Sequence, residues 1–101
     1  MIYKLLVPGP IDDVEQVRVL EWHVAPGETC TLGQLVVELE THKALVEVRA
    51  EHPAVLRTIL CDSGQWVAVG APMALLSDGA DEALPDSLDA LADMPLAFEV
   101  N

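Results

Sequence analysis

One residue is set where its side chain could do chemistry: Lys43, in Glu40-Thr41-His42-Lys43-Ala44. On either side, Leu35-Val-Val-Glu-Leu-Glu-Thr41 and Ala44-Leu-Val-Glu-Val-Arg-Ala50 interrupt Val and Leu with acids at nearly every second position, the period of half-buried strands. Two such segments around His42-Lys43 place the lysine at a hairpin turn. A primary amine on a long stem is exposed there and held by two strands, the placement a nucleophilic amine needs. The other four bases, Lys4, Arg18, Arg49 and Arg57, fall within expected strands.

Other constellations are weaker. His23, His42 and His52 have no metal-ligand spacing; His23 sits on an expected strand beside Trp22 and His52 precedes Pro53, so both are read as structural or surface residues. There is no Ser/His/Asp motif, phosphate loop or CxxC pair. An active site of the chain's own is therefore not expected. Cys30 and Cys61 lie far apart and are expected to be reduced and buried as small core residues.

The elements that position Lys43 must fit in 101 residues, enough for one modest core. Only 4% of residues are aromatic, and the apolar set leans to Val, Leu and Ala, which suits thin sheets. Residues 1 to 76 read as short strands bounded by Gly and Pro: 3–7, 16–24, 29–31, 35–41, 44–50, 54–61, 66–68 and 72–76. That spacing predicts an all-β sandwich or barrel. Shifting the chain by 37 residues superposes Gly27 on Gly64, Gly33 on Gly70 and Leu39 on Leu76, so two similar halves related by a pseudo-twofold axis are expected.

Charge divides the chain. The net charge is −12 with five basic residues, which argues against a nucleic-acid partner. Residues 77 to 101 carry seven acids and no base, against ten acids and five bases before them. This tail is read as an acidic linker outside the 1–76 domain, with a possible short helix over Asp86-Ser-Leu-Asp-Ala-Leu-Ala-Asp-Met94, and its removal is expected to cost little. No apolar run approaches the roughly 20 residues of a membrane span. The opening Met-Ile-Tyr-Lys-Leu-Leu-Val-Pro lacks a secretory pattern, and a cytoplasmic location is expected.

The stretch from Gly33 to Ala50 resembles the attachment hairpin of lipoyl domains, in which a Glu-Thr-Asp-Lys-Ala type of motif sits at the turn. Glu40, Thr41, Lys43 and Ala44 match the motif, and Gly33 and Gly27 match glycines ten and sixteen residues upstream of the lysine. The likeness extends back to Pro8 and Trp22 and forward through Gly64-Gln-Trp-Val-Ala-Val-Gly-Ala-Pro-Met-Ala-Leu-Leu76, about three quarters of the chain. The resemblance implies a flattened barrel or sandwich of two four-stranded antiparallel sheets. It implies lipoate joined covalently to Lys43 by a lipoyl ligase or transferase. It also implies an acyl carrier serving a thiamine-dependent decarboxylase, an acyltransferase and the flavoprotein dihydrolipoyl dehydrogenase, either as a discrete carrier or as the first domain of a longer acyltransferase.

Two departures bear on partners. His42 stands where the family usually has Asp, which replaces a fixed anion with an imidazole. In Gly9-Pro-Ile-Asp-Asp-Val-Glu-Gln-Val17, the family's Leu-Gly and later Gly give way to Pro10, Ile11 and Val17. In lipoyl domains this loop lies near the modified lysine and helps the decarboxylase recognise its carrier, so the cognate partner is left open. A biotin carrier is the nearest alternative, but its motif flanks the lysine with methionines, where this chain has His42 and Ala44. An unmodified interaction module of the same fold is the other, and the glycine-cleavage carrier, with a different lysine motif, ranks lower.

Overall fold

A computed structural model describes all residues from Met1 to Asn101. The alternating segments become strands β1 (Ile2–Leu6), β2 (Gln16–Trp22), β3 (Thr29–Cys30), β4 (Leu35–Glu40), β5 (Leu45–Ala50), β6 (Ala54–Ile59), β7 (Trp66–Ala68) and β8 (Pro72–Ser77). The tail adds β9 (Ala92–Asp93) and β10 (Leu96–Val100). They form two sheets, in the orders β3-β6-β8-β1-β9 and β10-β5-β4-β2-β7. Apolar residues facing inward from both sheets fill one core, in which Leu5, Val17, Val19, Leu39, Val46, Val48, Leu56, Met73 and Leu76 are buried. Cys30 and Cys61 are buried free thiols, and burial raises both above the usual thiol range. No helix of the protein is long and apolar enough to cross a membrane.

The repeat is visible as paired geometry. Gly27, Gly33, Gly64 and Gly70 have φ of 93°, 83°, 92° and 90°, a left-handed conformation that glycine adopts without Cβ strain. Gly27 N donates to Leu56 O at 2.7 Å, and Gly64 N donates to Val19 O at 2.7 Å, the same bond with the halves exchanged. Register slips repeat too. They leave Leu20 of β2 and Arg57 of β6 unpaired, and likewise Val36 of β4 and Met73 of β8. The slip at Val36 lets the neighbouring Val36 and Val37 both be buried, which strict alternation would forbid.

The tail differs from the expectation of a linker with a short helix. Each four-stranded sheet gains a fifth strand from it: β9 pairs parallel with β1, while β10 pairs antiparallel with β5 from Leu96↔Ala50 to Val100↔Val46. The β1–β9 pairing is the one departure from an antiparallel arrangement. Residues 86–94 hold a single turn, closed by Leu91 N donating to Leu88 O at 3.2 Å, before the chain extends. Two turns of isolated helix are unstable in water, whereas the extended path buries Met94 to 4% exposure and covers two open sheet edges. Arg57 fixes the start of the tail through Nη1, which donates to Glu82 O at 2.7 Å and Ser77 Oγ at 3.0 Å.

Candidate functional site

Lys43 sits in the turn of the β4–β5 hairpin, and Thr41 closes it. Thr41 N donates to Ala44 O at 2.8 Å, and Thr41 Oγ1 accepts from Ala44 N at 2.9 Å and from Lys43 N at 3.2 Å. The same hydroxyl donates to Ala44 O at 3.2 Å. Thr41 is buried, so one hydroxyl satisfies the polar backbone of the turn from inside while His42 and Lys43 point out. A hydroxyl placed two and three residues before the amides it binds is the ordinary chemistry of such turns. Glu40 faces Arg18 across the β2–β4 pair, Oε1 to Nη1 3.6 Å. Ala44 contributes its backbone and is half-buried.

Lys43 is 49% exposed, and its Nζ lies 3.5 Å from Asp13 Oδ2. Asp13 belongs to the loop between β1 and β2, where it has φ of 61°, a conformation that Asp tolerates better than most residues. The turn beneath it is closed by Val14 N donating to Ile11 O at 3.1 Å, with Val14 anchored in the core. Beside the amine lies a cleft of about 310 Å³ lined by Pro10, Ile11, Asp12, Lys43 and Val100. An exposed pair of this kind holds the side chain only weakly, about 0–1 kcal/mol, so the amine is free to react. A half-exposed primary amine with open space beside it fits a covalently attached acyl group.

The histidines are dispersed. His23 Nε2 lies 2.6 Å from Glu38 Oε1 and 3.3 Å from Glu21 Oε2 on the outer face. His52 Nε2 lies 3.2 Å from Asp78 Oδ1. His42 is exposed at the tip. The family resemblance brought the loop that holds Asp13 near the lysine without singling that residue out, and sequence reasoning missed Val100. Asp12-Asp13 ahead of an apolar Val14 was the available sign of a turn; nothing in the sequence indicated that Val100 would return to the tip.

A sequence profile of the biotin/lipoyl family, described as "Biotin-requiring enzyme", matches residues 4–76. The solution structure of the lipoyl domain of the 2-oxoglutarate dehydrogenase complex from Azotobacter vinelandii superposes with a TM-score of 0.65 at 30% identity, covering 76% of this chain and 98% of that domain. The chain belongs to the lipoyl-domain family. Its fold is that of a carrier domain, and its role is that of a lipoyl-type carrier. The chain is 35% identical over 79 residues to the dihydrolipoyllysine-residue succinyltransferase component of the 2-oxoglutarate dehydrogenase complex of Bacillus subtilis, covering 78% of this chain and 19% of that protein. It is 42% identical over 62 residues to the dihydrolipoyllysine-residue acetyltransferase component of the mitochondrial pyruvate dehydrogenase complex of Neurospora crassa, covering 59% of this chain and 14% of that protein. The chain thus spans about a fifth or less of the length of these curated relatives. The family also includes biotin-bearing members, so the cofactor class that follows from membership is a covalently attached carrier group.

Proposed function

We propose that Lys43 is the attachment residue, that lipoate is the group attached, and that the domain shuttles acyl groups within a 2-oxoacid dehydrogenase-type complex. The observation that carries this reading is the half-exposed amine of Lys43 at the tip of a hairpin closed by Thr41, in a chain that matches nearly the whole of a lipoyl domain. Glu40, Thr41, His42 and Ala44 present that amine to a lipoyl ligase or transferase. Lipoate on an amide-linked lysine would supply a dithiolane that accepts an acyl group with reduction, passes it to an acceptor at the acyltransferase, and as the freed dithiol is reoxidised to the disulfide by the flavoprotein.

The chain's own residues do no acid–base work in this scheme. Thr41 holds the tip, and amide formation removes the Lys43 charge and with it the pair to Asp13. Tethering raises the effective concentration of the carried group at each partner, which makes successive steps nearly intramolecular. The partners are a thiamine-dependent decarboxylase, an acyltransferase and dihydrolipoyl dehydrogenase, consistent with the complexes in which the relatives serve. Biotin is disfavoured because His42 and Ala44 occupy the positions flanking the lysine, while Met73 and Met94 are buried in the core.

The reading is tested by incubating the protein, after treatment with a lipoate–protein ligase, with dihydrolipoyl dehydrogenase and NADH. Free thiols should form as NADH is oxidised, and Lys43→Arg should yield none. Thiol formation that persists in Lys43→Arg, or none from the treated wild type, contradicts it.

A further inference from the structure

Strand β10 turns Leu96, Phe98 and Val100 toward the space between the sheets, because their register partners Ala50, Val48 and Val46 are core residues. Their cover thins toward the hairpin tip: Leu96 is half-buried, Phe98 is 37% exposed and Val100 is 48% exposed. The row therefore ends as inward-facing apolar surface that is only partly covered, at the end of the sandwich that bears Lys43. Two clefts run along this row. Val100 lines the one that Lys43 itself lines, and Phe98 and Leu96 line a second of about 370 Å³ whose far wall is Leu6, Val7 and Pro8. The second cleft is mainly apolar, whereas the one at Lys43 is open and mixed, with Ile11 and Val100 beside Asp12 and the amine.

We propose that this row is a docking site for the acyl arm carried by Lys43, so that the arm rests against Val100 and Phe98 when no partner holds it. The proposal rests on the lipoyl reading of Lys43. Three observations select this occupant. Lys43 shares a cleft with Val100, and Phe98 is the next inward residue, about 7 Å further along the strand, within the span of a lysyl stem and the chain attached to it. The acids on the walls are Asp12 and Asp93, and the one base, Lys43, loses its charge on forming the amide, so the site suits a neutral apolar chain and repels an anionic one. Finally, Leu96, Phe98 and Val100 lie beyond the 4–76 family match while the residues that face them lie within it, so the tail supplies the attachment hairpin with a feature of this chain. Docking would shelter the dithiolane from adventitious thiols without blocking transfer.

The test uses the full chain lipoylated in vitro, with intact mass reporting modification independently of docking. Nuclear Overhauser contacts are expected between the methylene protons of the arm and both the Val100 methyls and the Phe98 ring. In Phe98→Ser and Val100→Ser, each checked for folding by its unmodified spectrum, dihydrolipoyl thiols should react with a maleimide about threefold faster, the change for an arm docked about two thirds of the time. A modified chain whose shifts stop at residues 41–45 and whose thiol rate is the same in both variants overturns docking and leaves the carrier reading standing. A chain that takes no lipoyl group overturns both. Contacts seen only between differently labelled copies, or a cleft perturbed only on adding a decarboxylase, give the row to another occupant and overturn the proposal.

Discussion

Leu45 and Asn101 exchange both of their backbone hydrogen bonds, Asn101 N to Leu45 O at 2.8 Å and Leu45 N to Asn101 O at 3.2 Å. The last residue of the chain is thereby fixed two positions after Lys43. The acidic tail is part of the surface that surrounds the proposed attachment site, and its pairing has consequences that can be measured.

Removal of residues 78–101 should destabilise the domain by more than about 2 kcal/mol, because it exposes the edges of β1 and β5 and empties the Met94 site. Met94→Ala alone should cost about 2–3 kcal/mol, in the range of buried methionine truncations. Urea denaturation of both variants checks this. A truncated protein with an unchanged midpoint would mean that β9 and β10 contribute nothing.

Register predicts a stabilising substitution. Glu21, Glu38, Glu47 and Glu99 lie directly opposite one another across β2, β4, β5 and β10, a row of like charges that opposes pairing. Glu99→Lys should raise stability by about 0.5 kcal/mol at low salt, with the gain shrinking as salt is added. Loss of stability on this change would place β10 in another register.

Much of this was legible in the sequence. Alternation around His42-Lys43 located the β4–β5 hairpin to within a residue, and the 37-residue repeat of Gly27 and Gly33 on Gly64 and Gly70 located the turns that relate the halves. The tail was not legible, because Leu88, Leu91 and Met94 have helical spacing and the acids around them favour solvent. Pairing of β9 and β10 depends on open edges of β1 and β5, which a one-dimensional pattern does not display. Asp13 was not singled out for a similar reason: the resemblance brings its loop near Lys43, but which side chain meets the amine is set by how the loop after β1 folds back.

Thr41→Val keeps the shape of the side chain but strips the turn of its hydroxyl, leaving the Lys43 and Ala44 amides without that acceptor. Stability should fall by about 1–3 kcal/mol. Modification of Lys43 by a lipoate–protein ligase should slow while the lysine is still present. A variant lipoylated at the wild-type rate would show that the geometry of the tip is not read by the ligase.

The chain terminus makes stability depend on pH. The Met1 amine is held above its ordinary value of 8.0, first by its hydrogen bond to Glu82 and then by Asp78. Its contribution is complete below pH 8 and is lost as pH rises through the raised folded value. Asp78, bound by His52, Tyr3 and the amine, and Glu82, bound by the amine and Gly79 N, lie below their ordinary 3.8 and 4.5. Their contributions are present above those values and are lost as pH falls through the lowered folded ones. Denaturation midpoints should therefore decline as pH rises above 8, and acetylation of the amine should lower the midpoint at pH 7 and flatten that decline. An acetylated protein with the parent profile would rule out the cluster as the cause.

The central claim concerns Lys43, and the mass of the peptide that contains it tests that claim most directly. In protein isolated from a host with an active lipoylation system, tandem mass spectrometry should find one lipoyl amide on Lys43 and an unmodified protein in Lys43→Arg. A biotinyl mass on Lys43, a lipoyl group that persists elsewhere in Lys43→Arg, or an unmodified Lys43 in the wild type would contradict it.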